Sequence, residues 1–231
     1  MPQYLADING SNFILSEEET RHIKVARIKA GESFKIFDGK GKKYLAVLND
    51  CAGRQACGVI ENPLPCVLPK RQITLCFCAI SRPATEDLLD KCTQAGVFAF
   101  QPVFSARSDA DLLKKWETKQ ERWHQIVIAA AKQCETPLIP QILAPLNFAA
   151  AVKQYSKGLI CYEDEHQTAI NTALASFSAN EPLAIFIGPE GGLTTDEVAL
   201  AKKAGLACVS LGTNILRAET AATAACWAAL Q

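Results

Sequence analysis

The sequence predicts a two-part α/β protein. A small strand-rich domain occupies residues 1–70, and a mostly parallel sheet covered by helices on both faces occupies residues 71–231. Three features predict it. Before residue 70, short apolar runs are separated by Gly-containing turns. From Ile73 onward, apolar strand-like runs alternate with helix-like segments, the rhythm of a parallel sheet. Between them, Asn62-Pro63-Leu64-Pro65 and Pro69 read as a linker.

The elements follow in order. Ser16-Glu17-Glu18-Glu19 has capping-box spacing and predicts a short helix through about Arg27. Phe34-Lys35-Ile36-Phe37 and Tyr44-Leu45-Ala46-Val47-Leu48 flank Asp38-Gly39-Lys40-Gly41, whose Asp-Gly pair suits a tight turn, so this is a hairpin. Residues 56–60 form another short strand. Residues 73–80 are a buried-type strand, 84–95 a helix ended by Gly96, and 97–103 a strand. In residues 122–134, Trp123, Ile126, Val127, Ala130, Ala131 and Cys134 recur at helical spacing. Residues 159–162, 183–187 and 207–211 are strands. Thr194-Thr195-Asp196-Glu197 opens a capped helix that ends at Lys202, Lys203 and Gly205, and residues 217–230 form an Ala-rich final helix.

Composition excludes several classes. Lys plus Arg equals Asp plus Glu, 24 each, so the chain as a whole is not a strongly basic nucleic-acid binder. Hydrophobic residues make up 49%, far too many for a disordered chain. No apolar run approaches the ~18–20 residues of a membrane span, and Met1 to Asp7 has neither the basic start nor the apolar stretch of a signal peptide. No pair of the ten cysteines has C-x-x-C spacing, so no metal site is expected. Most lie in apolar runs, which predicts reduced core thiols in a cytoplasmic protein.

The sharpest local signal is Ile187-Gly188-Pro189-Glu190-Gly191-Gly192, directly after an apolar strand and directly before a capped helix. Ligands of parallel sheets sit beyond the C-terminal strand ends, and glycines there let backbone approach a ligand closely. The next strand also ends in a Gly-containing loop, Leu211-Gly212-Thr213-Asn214-Ile215-Leu216, followed by Arg217-Ala218-Glu219-Thr220 at the start of the last helix. Two such loops on one rim are what a cofactor cleft needs, with Leu211, Ile215 and Leu216 as an apolar wall. Elsewhere, eight basic side chains face two acidic ones between Arg21 and Lys43, a local footprint suited to phosphate contact.

Gly188-Pro189-Glu190-Gly191-Gly192, followed by Leu211-Gly212-x-x-Ile215-Leu216-Arg217-x-Glu219-Thr220-Ala221, resembles the SPOUT-class methyltransferases that make N3-methyluridine in bacterial 16S ribosomal RNA. The segment from Arg21-His22-Ile23 to Gly31-Glu32, the turn Phe37-Asp38-Gly39-Lys40-Gly41, Lys91 to Val97, and Arg122-Trp123 with Ala129-Ala130-x-x-Gln133 are similar to the same family, so the resemblance covers most of the chain. It implies an N-terminal PUA-like β-barrel domain, a C-terminal α/β trefoil-knot (SPOUT) domain, S-adenosylmethionine as cofactor, 16S ribosomal RNA or the small ribosomal subunit as partner, and a homodimer. By motif match, Gly188, Glu190, Gly192, Leu211, Gly212, Ile215 and Leu216 are expected to bind the cofactor. Arg21, His22, Lys24, Arg27 and Arg122 are expected to bind RNA. Uridine N3 must lose its proton to become a nucleophile. Arg217 is suited to the developing anion and Glu219 to orienting Arg217 or accepting the proton.

The chain departs from the family where basic residues are expected: Gln3, Ser81 and the Cys134-Glu135-Thr136 stretch replace them, in the part expected to face RNA. Competing readings are a related protein methylating another RNA, a non-catalytic RNA- or cofactor-binding module, and a small-molecule enzyme holding phosphate at the Thr194 helix N-terminus.

Overall fold

The computed structural model describes residues 3–108 and 116–231. Contacts divide the chain into two compact units: Met1–Leu68 with Ile128–Ile139, and Pro69–Val127 with Pro140–Gln231. Residues 128–139, which the sequence places in the second domain, thus group with the first unit.

In the first unit, strands β1 (Gln3–Asn9), β2 (Asn12–Leu15), β3 (Ser33–Phe37), β4 (Lys43–Asp50) and β5 (Cys57–Leu64) close a barrel in the order β1-β2-β5-β4-β3. The β3–β4 hairpin is antiparallel, as its Asp-Gly turn predicts, and a parallel β1–β3 pairing closes the ring. Closure leaves no sheet edge to template association. Tyr4, Phe13 and Phe34 fill the barrel, Phe34 meeting the other two edge-on at 5.6 and 5.5 Å between ring centres.

Three local expectations change here. Asn62, Pro63 and Leu64 are not linker but the end of β5, paired with β4. Beyond Val59 this strand has no β2 partner, so Pro63 forfeits no ladder bond on that side. Helix α1 (Glu17–Val25) is capped by the Ser16 side chain, which accepts from the Glu19 N–H. The Glu19 carboxylate does not return to complete the box: it is buried and ion-paired with Lys132 at 2.6 Å. Gln3 is wholly buried and so cannot face RNA; its Nε2 donates to the carbonyls of Ala131 and Thr136 at the end of a helix.

The second unit holds β6 (Ile73–Cys78), α2 (Arg82–Ala95), β7 (Ala99–Phe104), the first part of α3 (Trp116–Gln133), β8 (Gln141–Ile142), β9 (Leu146–Asn147), α4 (Phe148–Gln154), β10 (Gly158–Cys161), α5 (Ile170–Leu174), β11 (Leu183–Ile187), α6 (Thr195–Lys203), β12 (Ala207–Val209) and α7 (Ala218–Leu230). The strand order is β12-β10-β11-β6-β7-β8, with β9 also on β7, and every pairing is parallel. A parallel sheet buried on both faces explains the unbroken apolar runs: all five β11 residues are buried. Helices α2 and α7 pack together, α7 against β6 and β11, while α4 and α6 pack together with Cys76, Ile160 and Phe186 in their cluster.

Pro102 sits inside β7, an unusual place for proline. The outer edge of β7 pairs β8 at Ala99 and Phe100 and β9 at Val103 and Phe104, leaving a gap at Gln101 and Pro102. The missing proline N–H falls in that gap. The buried Gln101 side chain fills it, donating to Ala144 O at 2.6 Å and accepting from the Tyr155 hydroxyl at 3.1 Å. Helix ends are also tied down. Gly96 takes the left-handed conformation that ends α2, and buried Arg71 donates to Ala229 O in the last turn of α7. Among the described residues no helix is long and apolar enough to cross a membrane. Six of the ten free cysteines are buried, whereas Cys66 is exposed.

Candidate active site

The order β12-β10-β11-β6 places four C-terminal strand ends side by side. Beyond β6 the chain proceeds to β7 on one side while β11 lies on the other, the kind of switch point at which open α/β sheets bind ligands. The four ends enclose a cleft of about 1100 Å³. Gly188, Glu190, Gly192, Leu211, Gly212, Ile215, Leu216, Arg217 and Glu219 all line it, so the structure brings the two sequence-identified loops together. It adds side chains that the sequence did not single out: Asp87 from α2, and Tyr162, Glu163, Asp164 and His166 after β10. Ser81, read from the sequence as a lost RNA-facing basic position, also lines this cleft.

The loop after β11 is held by a network. The Gly192 N–H donates to Pro189 O, closing a tight turn with Gly192 at φ 73°. The Ser81 N–H donates to Glu190 Oε1 at 3.3 Å. Arg107 Nη1 donates to Gly191 O at 2.8 Å. The capping box of α6 is complete, Thr194 Oγ1 accepting from Glu197 N–H and Glu197 Oε2 accepting from Thr194 N–H. The second oxygen of Glu197 accepts from Ala106 N–H at 2.7 Å. A phosphate at this helix N-terminus would compete with a carboxylate already bonded there, which disfavours the small-molecule phosphate reading.

The chemistry of the lining is acidic. Asp87, Glu163, Asp164, Glu190 and Glu219 face one guanidinium, Arg217. Asp87 is ion-paired with Lys91; Asp164 accepts from the Tyr162 hydroxyl, and that bond raises the Tyr162 phenol pKa. Arg217 is the N-cap residue of α7 by position, yet its side chain makes no capping bond. Among the described residues no ion pair joins Arg217 to Glu219, so a helix-end ion pair does not account for them. Cys161, at the foot of the cleft, is pushed up to about 12 by burial and by Cys208, which keeps it a neutral thiol rather than a nucleophile. Ile215 is 86% exposed, a bare apolar side chain in the cleft wall.

The expected RNA contacts divide. Arg21, His22 and Lys24 lie on α1 and Arg27 just beyond it, all exposed. The helix ends with Ile28 N–H bonded to Ile23 O, and Arg27 occupies the left-handed position at φ 60°, where glycine is usual. Lys24 Nζ donates to Gly53 O. His22 Nδ1 lies 3.1 Å from Lys132 Nζ; an ammonium only donates, so Nδ1 accepts. Arg122 belongs to the second unit, where it pairs with Glu86 at 3.0 Å.

Comparisons with known proteins agree with this architecture. Residues 67–230 match an RNA methyltransferase domain and residues 15–61 an RNA methyltransferase PUA domain. A ribosomal RNA small subunit methyltransferase E from Synechocystis is 35% identical over 87% of this chain and 67% of its own length. One from Aquifex aeolicus is 29% identical over 94% and 93%. The crystal structure of such an enzyme from Neisseria gonorrhoeae, bound to S-adenosyl methionine, superposes with a TM-score of 0.87 at 29% identity, covering 98% of this chain and 95% of that one. Motifs, fold and relatives agree, and the chain belongs to the ribosomal RNA small subunit methyltransferase E family of RNA methyltransferases.

Proposed function

We propose that this enzyme transfers a methyl group from S-adenosylmethionine to N3 of a uridine in 16S ribosomal RNA, in the small subunit, working as a homodimer whose second domain is knotted. The observation that carries the cofactor assignment is the charge of the cleft: five carboxylates and one guanidinium on Gly-rich strand ends. Such a lining repels phosphate-bearing cofactors and attracts a cation. S-adenosylmethionine supplies a methyl group on a positively charged sulfur, which leaves as a neutral thioether. The solved relative from Neisseria gonorrhoeae is bound to this cofactor, and the curated relatives are named for ribosomal RNA of the small subunit.

The chain's own residues then divide the work. Gly188 and Gly192 shape the cofactor loop: without Cβ atoms they make room for the Leu193 side chain and the Glu163 carboxylate, and Gly192 turns the chain at φ 73°. Leu211, Ile215 and Leu216 form the apolar wall, and Gly212, at φ 121°, turns that loop. Glu190 fixes the 188–192 loop to the start of α2 through Ser81. Arg217 stabilises negative charge on the uracil ring as N3 loses its proton, since a guanidinium stays protonated and donates in a fixed fork. Glu219, two residues on, accepts that proton. Arg21, His22, Lys24 and Arg27 meet RNA phosphates from the barrel unit, and Arg122 from the second unit.

Mass spectrometry of 16S ribosomal RNA, from cells with and without this protein, tests the reading. One added methyl at uridine N3 is expected only with the protein. Identical spectra would refute the assignment, and a methyl on another RNA would move the target.

A further inference from the structure

One carboxylate in the cleft has no part in the roles above. Glu163 follows β10, and its Oε1 lies against the α-carbon of Gly192, where a Cβ would otherwise stand. The other carboxylates are engaged or assigned: Asp87 with Lys91, Asp164 with Tyr162, Glu190 with Ser81, Glu219 beside Arg217. Among the described residues no hydrogen bond or ion pair reaches the Glu163 side chain, which is exposed to the cleft. Its charge therefore sits in the cleft wall, against the 188–192 loop and without a protein partner of its own among the described residues.

We infer that Glu163 is a specificity-determining residue that recognises the positive charge on the cofactor's sulfur and so favours the cofactor over its neutral thioether product. The inference rests on the cofactor assignment proposed above. S-adenosylmethionine and S-adenosylhomocysteine share the adenine, the ribose, the ammonium and the carboxylate, so contacts to those groups cancel in a comparison of the two. Only the sulfur differs. On transfer, the carbon–sulfur bond breaks and its electron pair stays on sulfur, which becomes neutral. The deprotonated acceptor nitrogen supplies the pair for the new nitrogen–carbon bond. The attraction to Glu163 thus exists before transfer and is lost after it, which speeds product release.

Titration calorimetry on the full chain tests this, with each ligand separately, on the wild type, Glu163→Gln and Glu163→Asp. Gln keeps the shape and a hydrogen-bond acceptor but removes the charge. Glu163→Gln should weaken S-adenosylmethionine binding about tenfold, the scale of one half-screened charge pair, and S-adenosylhomocysteine binding by less than about twofold. Glu163→Asp should retain the preference. Added salt should erode the wild-type preference and leave the ratio in Glu163→Gln unchanged. Equal weakening of both ligands would make Glu163 an acceptor for a shared group, such as a ribose hydroxyl, and overturn the inference. So would unchanged affinities in a folded variant. If the wild type binds neither ligand, the cofactor assignment fails and this inference falls with it.

Discussion

Arg107 donates Nη1 to the carbonyl of Gly191 at 2.8 Å, so the turn after β7 holds the loop after β11. Gly191 has no side chain, and the Arg107 stem lies beside the place of a Cβ there, its Cβ and Cδ at contact distances of 3.5 and 3.6 Å. The turn itself is fixed by Ser105 N–H to Ser108 Oγ and by Ala106 N–H to Glu197. Arg107→Ala should loosen the cofactor loop and weaken cofactor binding roughly three- to tenfold, the net worth of one ordinary hydrogen bond, since this one is exposed to solvent. Arg107→Lys should restore part of it. Calorimetry showing wild-type affinity in Arg107→Ala would mean that the loop keeps its shape unaided.

Gly192→Val should abolish cofactor binding. Its φ of 73° is strained for a β-branched residue, and a Cβ would collide with the Glu163 carboxylate. The variant is to be checked for folding by circular dichroism and then titrated with cofactor. Retained affinity in a folded protein would displace the cofactor from this loop.

Arg27 and Arg217 should separate RNA affinity from chemistry. Arg27→Gly relieves a left-handed arginine and should raise stability by about 0.5–1 kcal/mol. The same change should weaken RNA binding and reduce the salt slope of log affinity by roughly 0.7–0.9. Arg217→Ala should bind RNA almost normally and lose about 10²-fold in single-turnover methylation. A wild-type rate in Arg217→Ala would remove it from the mechanism.

Gln3→Ala should destabilise the barrel unit by about 1–3 kcal/mol, because two carbonyls at the end of a helix lose their buried donor. Urea unfolding measures this. No shift in midpoint would imply that water replaces the amide.

Glu86 should contribute to acid sensitivity. A hydrogen bond from Arg122 holds its carboxyl below the usual carboxylate range against the opposing effect of burial, with a lesser hydrogen bond from Arg82. A depressed folded pKa gives stability that is present above the unfolded value and lost as pH falls through the folded one. The loss therefore begins below about pH 4.5. Glu86→Gln should show a shallower drop in urea midpoint between neutral and acidic pH. Parallel drops in the two proteins would assign acid lability elsewhere.

Much of this was legible locally. The Thr194–Glu197 capping box, the Gly96 helix stop, the Asp38-Gly39 hairpin and the apolar β11 run before Gly188-Pro189-Glu190-Gly191-Gly192 are contacts between near neighbours in sequence, which composition and spacing encode directly. The family motifs likewise marked nine residues that line one cleft.

Other features depended on strand order and burial. The pairing of β10 with both β11 and β12 carries Glu163 to Gly192, a juxtaposition no local pattern announces. Glu19 reads as half of a capping box, but burial directs its charge to Lys132, 113 positions away. Gln3 reads as a lost surface cation, and the fold makes it a buried helix stop. Arg122 reads as an RNA contact, and the fold adds an ion pair with Glu86, 36 positions away. Pro102 falls inside the strand read over residues 97–103, and only the split between β8 and β9 shows how the sheet makes room for it. Turns and caps follow from short-range sterics and hydrogen bonds, so the chain specifies them by itself. A buried charge or amide takes the partner that removes its desolvation cost, and only the packed tertiary structure decides which partner is within reach.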